Sequence, residues 1–391
     1  MIISSIRLFA RRGYSVDVYV NKEHYNQSPI TFAEAGISVI IYDDRSFMLF
    51  FKHYRFLSRL VGDYFFCIAQ RLPLNTCLRL FFPGVFRFMK WLNCQMARCT
   101  YDYVFPVEGM SLICLSSFRE KSKIVYFNLE LLDWEKGDIL YGNNKLVYKH
   151  LEYSMIKTLS RIVTPSPRRS TIFSHINNFE RDSILNLPVV PLGDGLTRKS
   201  RFFRDMFNIP EKHRIVLYCG QFVPYFQCIE ILQTVAAWPD DTVLIMHTWN
   251  RTALKTQYFK EMKMAASGLP VYFSTRYIAY DDLAEAVSSA DIGLAFYEAV
   301  DRNCTEILFS SNKIGEYLKA GLGIVCSDFP SLKQFVEVHD IGMAVSVYEL
   351  PKAIKEMSER IDSMRDNVLQ CYNNELRFEN YFNRFYDQLQ I

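Results

Sequence analysis

The chain has 391 residues, half of them hydrophobic, and a formal net charge of +3. That length exceeds one ordinary domain and is comfortable for two of about 190 residues, each with its own apolar core. The small net charge leaves any basic excess local. Ten cysteines without a metal-type CxxC pair and seven scattered histidines exclude a disulfide scaffold and argue against a protein-held metal.

In chain order, a helix over Ile2–Arg11 leads through Arg12-Gly13 to a strand at Ser15–Val20. A short helix near Thr31–Ala35 leads through Gly36 to a strand at Ser38–Tyr42. Residues 47–100 differ from the rest. They are crowded with Phe, Leu, Tyr and Trp, and carry Lys52, Arg55, Arg59, Arg71, Arg79, Arg87, Lys90 and Arg98 against Asp63. No run reaches the roughly 18 uncharged residues that a membrane span needs. Basic residues interleaved with aromatics suit helices lying on an anionic membrane surface, and equally helices packed on the sheet with a basic rim. No recognition motif for nucleic acid accompanies the charge. The N-terminus carries no apolar region with a cleavage site, so no signal peptide is expected.

A strand at Tyr101–Phe105, a helix near Met110–Phe118 and a strand at Lys123–Phe127 follow, the last ending in Asn128-Leu129-Glu130. Then come a helix over Tyr148–Leu159 carrying Glu152, the segment Arg161–Ser166, and a Pro-rich connection from Leu187 to Gly195. Beyond it strands and helices alternate. Strands are expected at Ile215–Cys219, Thr242–His247, Val271–Ser274 and Ile292–Phe296, with helices over Ile229–Ala237, around Lys255–Lys263 and over Tyr280–Ser289. Such alternation predicts a doubly wound parallel sheet, whose ligands bind beyond the carboxyl ends of the strands. The loops at Gly220-Gln221-Phe222, His247-Thr248-Trp249, Arg276-Tyr277 and Phe296-Tyr297 share that edge.

Residues 303–330 hold the strongest motif: a polar loop, a short helix bearing Asn312, Lys313 and Glu316, a Gly-bounded turn, and an apolar strand ending at Ser327-Asp328. Lys313, Glu316 and Tyr317 stand at i, i+3 and i+4, sharing roughly one side of the helix. A cation, free helix N-terminal amides and a carboxylate within one turn suit a ligand with phosphate at one end and vicinal hydroxyls at the other. A nucleotide sugar is such a ligand.

This segment resembles the donor-binding segment of retaining GT-B glycosyltransferases, above all glycosyltransferase family 4. Leu8–Val20, the pairing of Glu152 with Arg161–Ser166, and Pro191-Leu192-Gly193 resemble further stretches of that family, so the likeness runs along nearly the whole chain. It implies a GT-B fold with two Rossmann-like doubly wound domains facing a cleft: an acceptor-side domain over 1–190, a donor-binding domain over 191–372, and a C-terminal helix at 373–391 returning to the first. Glu316 would bind the donor ribose, with Asn312, Ser311, Gly220, Gln221, Arg276, Tyr277 and Tyr297 also on the donor side. Lys313, Asn128 and Glu130 would be the catalytic or acceptor-side groups, and Lys313 is expected to lie exposed in the empty cleft. The resemblance implies sugar transfer with retention from a nucleotide-sugar substrate to a glycan or lipid-linked acceptor. The place of work would be the cytoplasmic face of a membrane, in surface polysaccharide synthesis, with no metal, no further cofactor and no nucleic-acid partner.

Three departures from the family pattern stand out. Leu308 occupies the position of a second Glu. Loop 220–227 carries no cation where family members have Arg and Lys. No strand and Gly-rich loop precede Ile2; a true start upstream of Met1 is favoured over loss of that strand. The alternatives are a catalytically impaired paralogue acting as a binding or scaffold subunit, which the departures favour, and a nucleotide-sugar epimerase, which the basic segment disfavours.

Overall fold

The computed structural model describes residues 1–22, 25, 32–43, 71–135, 145–250 and 252–389. The chain forms two compact units, one over Ile2–Leu187 and one from Pro188 onward, which Met1 joins.

In the first unit, α1 (Ile2–Arg11) turns at Gly13, whose φ of +89° suits a residue without Cβ, into β1 (Val16–Asn21). β1 pairs in parallel with β2 (Ile37–Tyr42), Val16 opposite Ile37. The helix expected near Thr31–Ala35 is absent over the described residues 32–35, which form a loop and turn. Five residues are too few to nucleate a helix alone, and Glu34 is drawn instead to Arg11 and Arg7 of α1.

Residues 47–70 of the basic and aromatic segment, with Lys52, Arg55, Arg59 and Asp63, lie outside the described residues. Its remainder forms α2 (Leu74–Phe81) and α3 (Pro83–Met96), the latter opened by a proline whose missing N–H costs nothing in a first turn. α4 (Glu108–Cys114), β3 (Val125–Phe127), α5 (Lys145–Ile156), β4 (Arg161–Thr164), α6 (Pro167–Asn177) and β5 (Ile184–Asn186) follow. The strands form a parallel β3-β4-β5 sheet. Tyr101–Phe105 is not the full strand expected. It touches the sheet only through bridges at Val104–Ile124 and Val107–Phe127, because Pro106 between them accepts a hydrogen bond from Phe127 but cannot donate one. No ladder joins the β1-β2 and β3-β4-β5 sheets among the described residues.

The second unit is built on six parallel strands: β6 (Arg214–Cys219), β7 (Thr242–His247), β8 (Val271–Ser274), β9 (Ile292–Ala295), β10 (Gly323–Cys326) and β11 (Gly342–Ala344). Their order is β11-β10-β9-β6-β7-β8. Predominantly apolar, the central strands are buried on both faces, as helix-covered parallel strands must be. The helices are α7 (Phe202–Phe207), α8 (Cys228–Thr234), α9 (Gln257–Ala265), α10 (Tyr280–Val287), α11 (Arg302–Thr305), α12 (Asn312–Lys319), α13 (Pro330–Val338), α14 (Leu350–Cys371) and α15 (Phe378–Leu389), with a π-helical turn at Tyr372–Leu376. α14 buries Leu350, Ile354, Met357, Ile361, Met364 and Val368, a stripe at helical spacing laid on β10. Gly323 permits this approach: a Cβ there would lie 2.6 Å from Met357 Cε. α15 buries Phe378, Phe382, Phe385 and Leu389, and Glu379 at its start accepts a hydrogen bond from Gly193 N.

The strand order reverses between β6 and β9, which opens a crevice at their carboxyl ends. The two strands pair only at Val216–Ile292 and Leu217–Gly293. Beyond that point the Tyr317 hydroxyl enters between them, accepting from Cys219 N at 2.8 Å and donating to Leu294 O at 3.2 Å. Its ring fills the space above Gly293, where any Cβ would come within 2.4 Å of it.

Candidate functional site

α12 descends from the crevice, and its first turn presents the motif residues. The Lys313 ammonium does not lie exposed as expected. It sits 4.6 Å from the centre of the Tyr218 ring, 4.3 Å from Phe226 and 4.6 Å from Tyr297. It is buried and has no hydrogen-bond partner. Each ring comes from a different place: Tyr218 from β6, Phe226 from the loop after it, Tyr297 from the loop after β9. Their π-faces are what holds the charge, an attraction of about 2 kcal/mol or more where water is excluded. Burial pulls the Lys313 pKa down from 10.5 to about 8. The lysine stem passes over Gly220, so that a Cβ there would touch Lys313 Cε at 3.4 Å.

One turn on, Glu316 is buried with its Oε2 unpartnered. Burial raises its pKa from 4.5 to about 7, against the pull of Lys319. Tyr317, grouped with these two by helical spacing, serves the sheet instead of the crevice.

Ser311 precedes the helix and does not cap it; its hydroxyl pairs with Tyr297 OH at 2.6 Å. Tyr297 is further fixed by Ser327, whose hydroxyl accepts from Tyr297 N and donates to Tyr297 O. Gln221 is exposed, and its carbonyl accepts from Tyr218 OH at 2.6 Å. Thus Gly220, Gln221, Tyr297, Ser311, Lys313 and Glu316 gather at one crevice. Asn312 is exposed on the first turn, and Arg276 and Tyr277 are exposed on the loop after β8, at the same sheet edge. Arg302 is likewise exposed, on α11.

Asn128 and Glu130 belong to the first unit, just past β3. Asn128 is buried, and its amide donates to the Glu130 carbonyl at 3.0 Å. Sequence reasoning overlooked their neighbour Glu108, which holds φ +66°, rare for a residue with Cβ, and whose Oε1 accepts from Leu129 N at 3.0 Å. Burial, then the nearby Glu130 and Glu152, push the Glu108 pKa well up. It also overlooked Tyr218 and Phe226, whose positions read as strand and loop and give no local sign of a cation. No group of side chains suited to a metal ion occurs among the described residues.

No family model and no curated protein sequence matches this chain. Solved structures do. WaaG, a glycosyltransferase involved in lipopolysaccharide biosynthesis, superposes with a TM-score of 0.66 at 13% identity over 99% of this chain and 94% of its own. Sucrose-phosphate synthase from Thermosynechococcus elongatus gives 0.69 at 15% over 99% and 92%. HepE from Anabaena, solved in complex with UDP and glucose, gives 0.63 at 12% over 100% and 94%. These neighbours are GT-B glycosyltransferases, and the chain shares their fold of two Rossmann-like domains.

Proposed function

We propose that this protein is a glycosyltransferase that moves a sugar from a nucleotide-sugar donor to a glycan or lipid-linked acceptor with retention of anomeric configuration, in surface polysaccharide synthesis. The observation that carries the reading is a buried cation and a buried carboxylate, Lys313 and Glu316, one helical turn apart beside the switch-point crevice, neither with a hydrogen-bond partner for the atom concerned. Leaving such groups unsatisfied is costly unless a ligand completes them. Glu316 would accept the two ribose hydroxyls. Lys313, with the first-turn amides of α12, would take the diphosphate as the bond from anomeric carbon to phosphate oxygen breaks. The departing phosphate would receive the acceptor hydroxyl proton while the new glycosidic bond forms on the same face. No protein nucleophile is required.

The scaffold reading keeps one observation in its favour: loop 220–227 supplies Phe226 over Lys313 and no cation of its own. Incubation of the purified chain with UDP-, GDP- and ADP-hexoses, with and without octyl glycosides, separates the two. Release of nucleoside diphosphate, increased by one of the glycosides, is expected. Nucleotide binding without any release across the panel would favour the scaffold.

The second part of the proposal is peripheral attachment to the cytoplasmic face of a membrane through α2 and α3. No described helix is long and apolar enough to cross one. These helices and their flanks carry Arg71, Arg79, Arg87, Lys90 and Arg98 with no acidic residue over 71–100, and Lys90 lies 4.9 Å over the Phe86 ring. At about 1 kcal/mol per basic residue near an anionic surface, changing Arg79, Arg87 and Lys90 to Ser should lower binding to phosphatidylserine vesicles by about two orders of magnitude. Added salt should do the same to the unaltered protein. Equal co-sedimentation with neutral and anionic vesicles would reject this attachment.

A further inference from the structure

Lys313 can meet a phosphate only if something around it moves, and the geometry singles out which part. Tyr218 is fully buried on β6, and its hydroxyl is tied to Gln221 O at 2.6 Å. Tyr297 is fixed by Ser311 and Ser327. The lysine stem is bedded on the end of β6, since a Cβ at Gly220 would lie 3.4 Å from Lys313 Cε and 3.5 Å from Cδ. Phe226 is different. It is half-buried and ends a short 3-10 turn over Pro224–Phe226, whose proline is exposed.

That turn hangs between two anchors. Phe222 before it is buried, its ring stacked on Phe259 with centres 5.6 Å apart and 12° between planes. Cys228 after it is buried at the start of α8. Between them Phe226 N bonds to Val223 O and Gln227 N to Pro224 O, bonds made inside the turn that can travel with it. Gln227 holds φ +53°, a left-handed conformation uncommon for a residue with Cβ, and there the chain reverses into α8. Two contacts fasten the turn across the crevice. Glu298 N donates to Tyr225 O at 2.9 Å, and the Phe226 ring lies 5.3 Å from the Tyr297 ring and 4.3 Å from the Lys313 ammonium.

Resting on the donor reading above, we propose that residues 223–227 form a lid over Lys313, latched by Phe226, which the diphosphate end of the donor displaces. A ring face attracts the ammonium but accepts no strong hydrogen bond from it. Phosphate oxygens accept charge-assisted ones, so a diphosphate outcompetes the ring. The open state is the one that binds, and affinity is lowered by the fraction of molecules in which the lid is shut. Phe226 is therefore a positioning residue that acts on the donor through Lys313. Loop 220–227 brings no cation of its own; it controls access to the cation that α12 provides.

The test uses the full chain with UDP and GDP as probes. Phe226→Ala should bind the nucleotide about tenfold more tightly than the wild type, the worth of one cation–π contact shielded from water. Phe226→Leu, which keeps apolar bulk without a π-face, should do the same, and carries the comparison where the alanine variant fails to fold. Phe226→Tyr should restore the wild-type affinity. A side chain that only supported the site would weaken binding when removed. In hydrogen exchange on the wild type, UDP should speed exchange of the Glu298 amide, which loses Tyr225 O when the lid opens. A third arm needs no nucleotide: in the ligand-free chain, Phe226→Ala should let N-hydroxysuccinimidyl acetate acetylate Lys313 about tenfold faster, in proportion to the open fraction. Nucleotide binding that is equal or weaker in Phe226→Ala, a Glu298 amide that UDP leaves protected, or unchanged Lys313 labelling would remove the lid and leave the donor site standing. Faster Lys313 labelling in a chain that binds neither nucleotide would keep the lid and remove the donor reading.

Discussion

Replacing Lys313 by Met should slow sugar transfer by about 10²–10³-fold, the usual worth of a fixed group facing the charge of a leaving group. The variant should also melt no lower than the wild type, and above it near neutral pH. Methionine has a similar length, needs no desolvation, and its thioether packs well against aromatic rings. The sign follows from the lowered pKa. Folded Lys313 gives up its proton near pH 8 and the unfolded side chain near 10.5, so the wild type gains stability as pH rises between those values. The variant lacks that gain, and its advantage in melting temperature should shrink above pH 8. A pH series of calorimetric scans checks this. Normal transfer by the variant would hand the role to Arg302 or Arg276.

Glu316→Ala should weaken binding of a nucleoside diphosphate by about 1.5–3 kcal/mol, the range for hydrogen bonds to a charged group. Ionised Glu316 is the form that accepts two ribose hydroxyls, and Lys313 must keep its proton to meet phosphate. With pKa values of about 7 and about 8, affinity should rise as pH climbs through 7 and fall beyond 8. Glu316→Ala should lose the acid limb and keep the alkaline one. Because folding raises the Glu316 pKa, its protonation favours the fold, a contribution that is full below pH 4.5 and is lost as pH rises from there through 7. Titration calorimetry with UDP and GDP between pH 6 and 9 decides the matter. An unchanged affinity in the variant, or a flat wild-type profile, would remove Glu316 from the ribose.

The second unit was legible because its central strands are buried on both faces and read as short apolar runs between helical segments. Arg214–Cys219, Thr242–His247, Val271–Ser274 and Ile292–Ala295 all fall where the pattern puts them. The first unit was less so. At 32–35 a local preference for helix lost to ion pairs made by Glu34 with α1, and at 101–105 the consequence of Pro106 depended on pairing with a distant strand. In the candidate site, spacing on α12 identified Lys313 and Glu316 but could not say what surrounds them. The rings of Tyr218, Phe226 and Tyr297 come from three separated segments. Nor can sequence reveal that a tyrosine one position after Glu316 points into the sheet, since this follows from atoms brought together only by folding.

The Tyr317 hydroxyl between β6 and β9 gives the crevice a permanent prop. An ordinary parallel pair could zip further and close; here a side chain holds the two carboxyl ends apart before any ligand arrives. The prop also ties two positions far apart in the chain into a single inherited unit. Gly293 cannot acquire a side chain while the ring is present. Tyr317 cannot shrink without stranding Cys219 N and Leu294 O beside a void. Change at either site is therefore open only to a lineage that alters both, and the two should travel through evolution as one character.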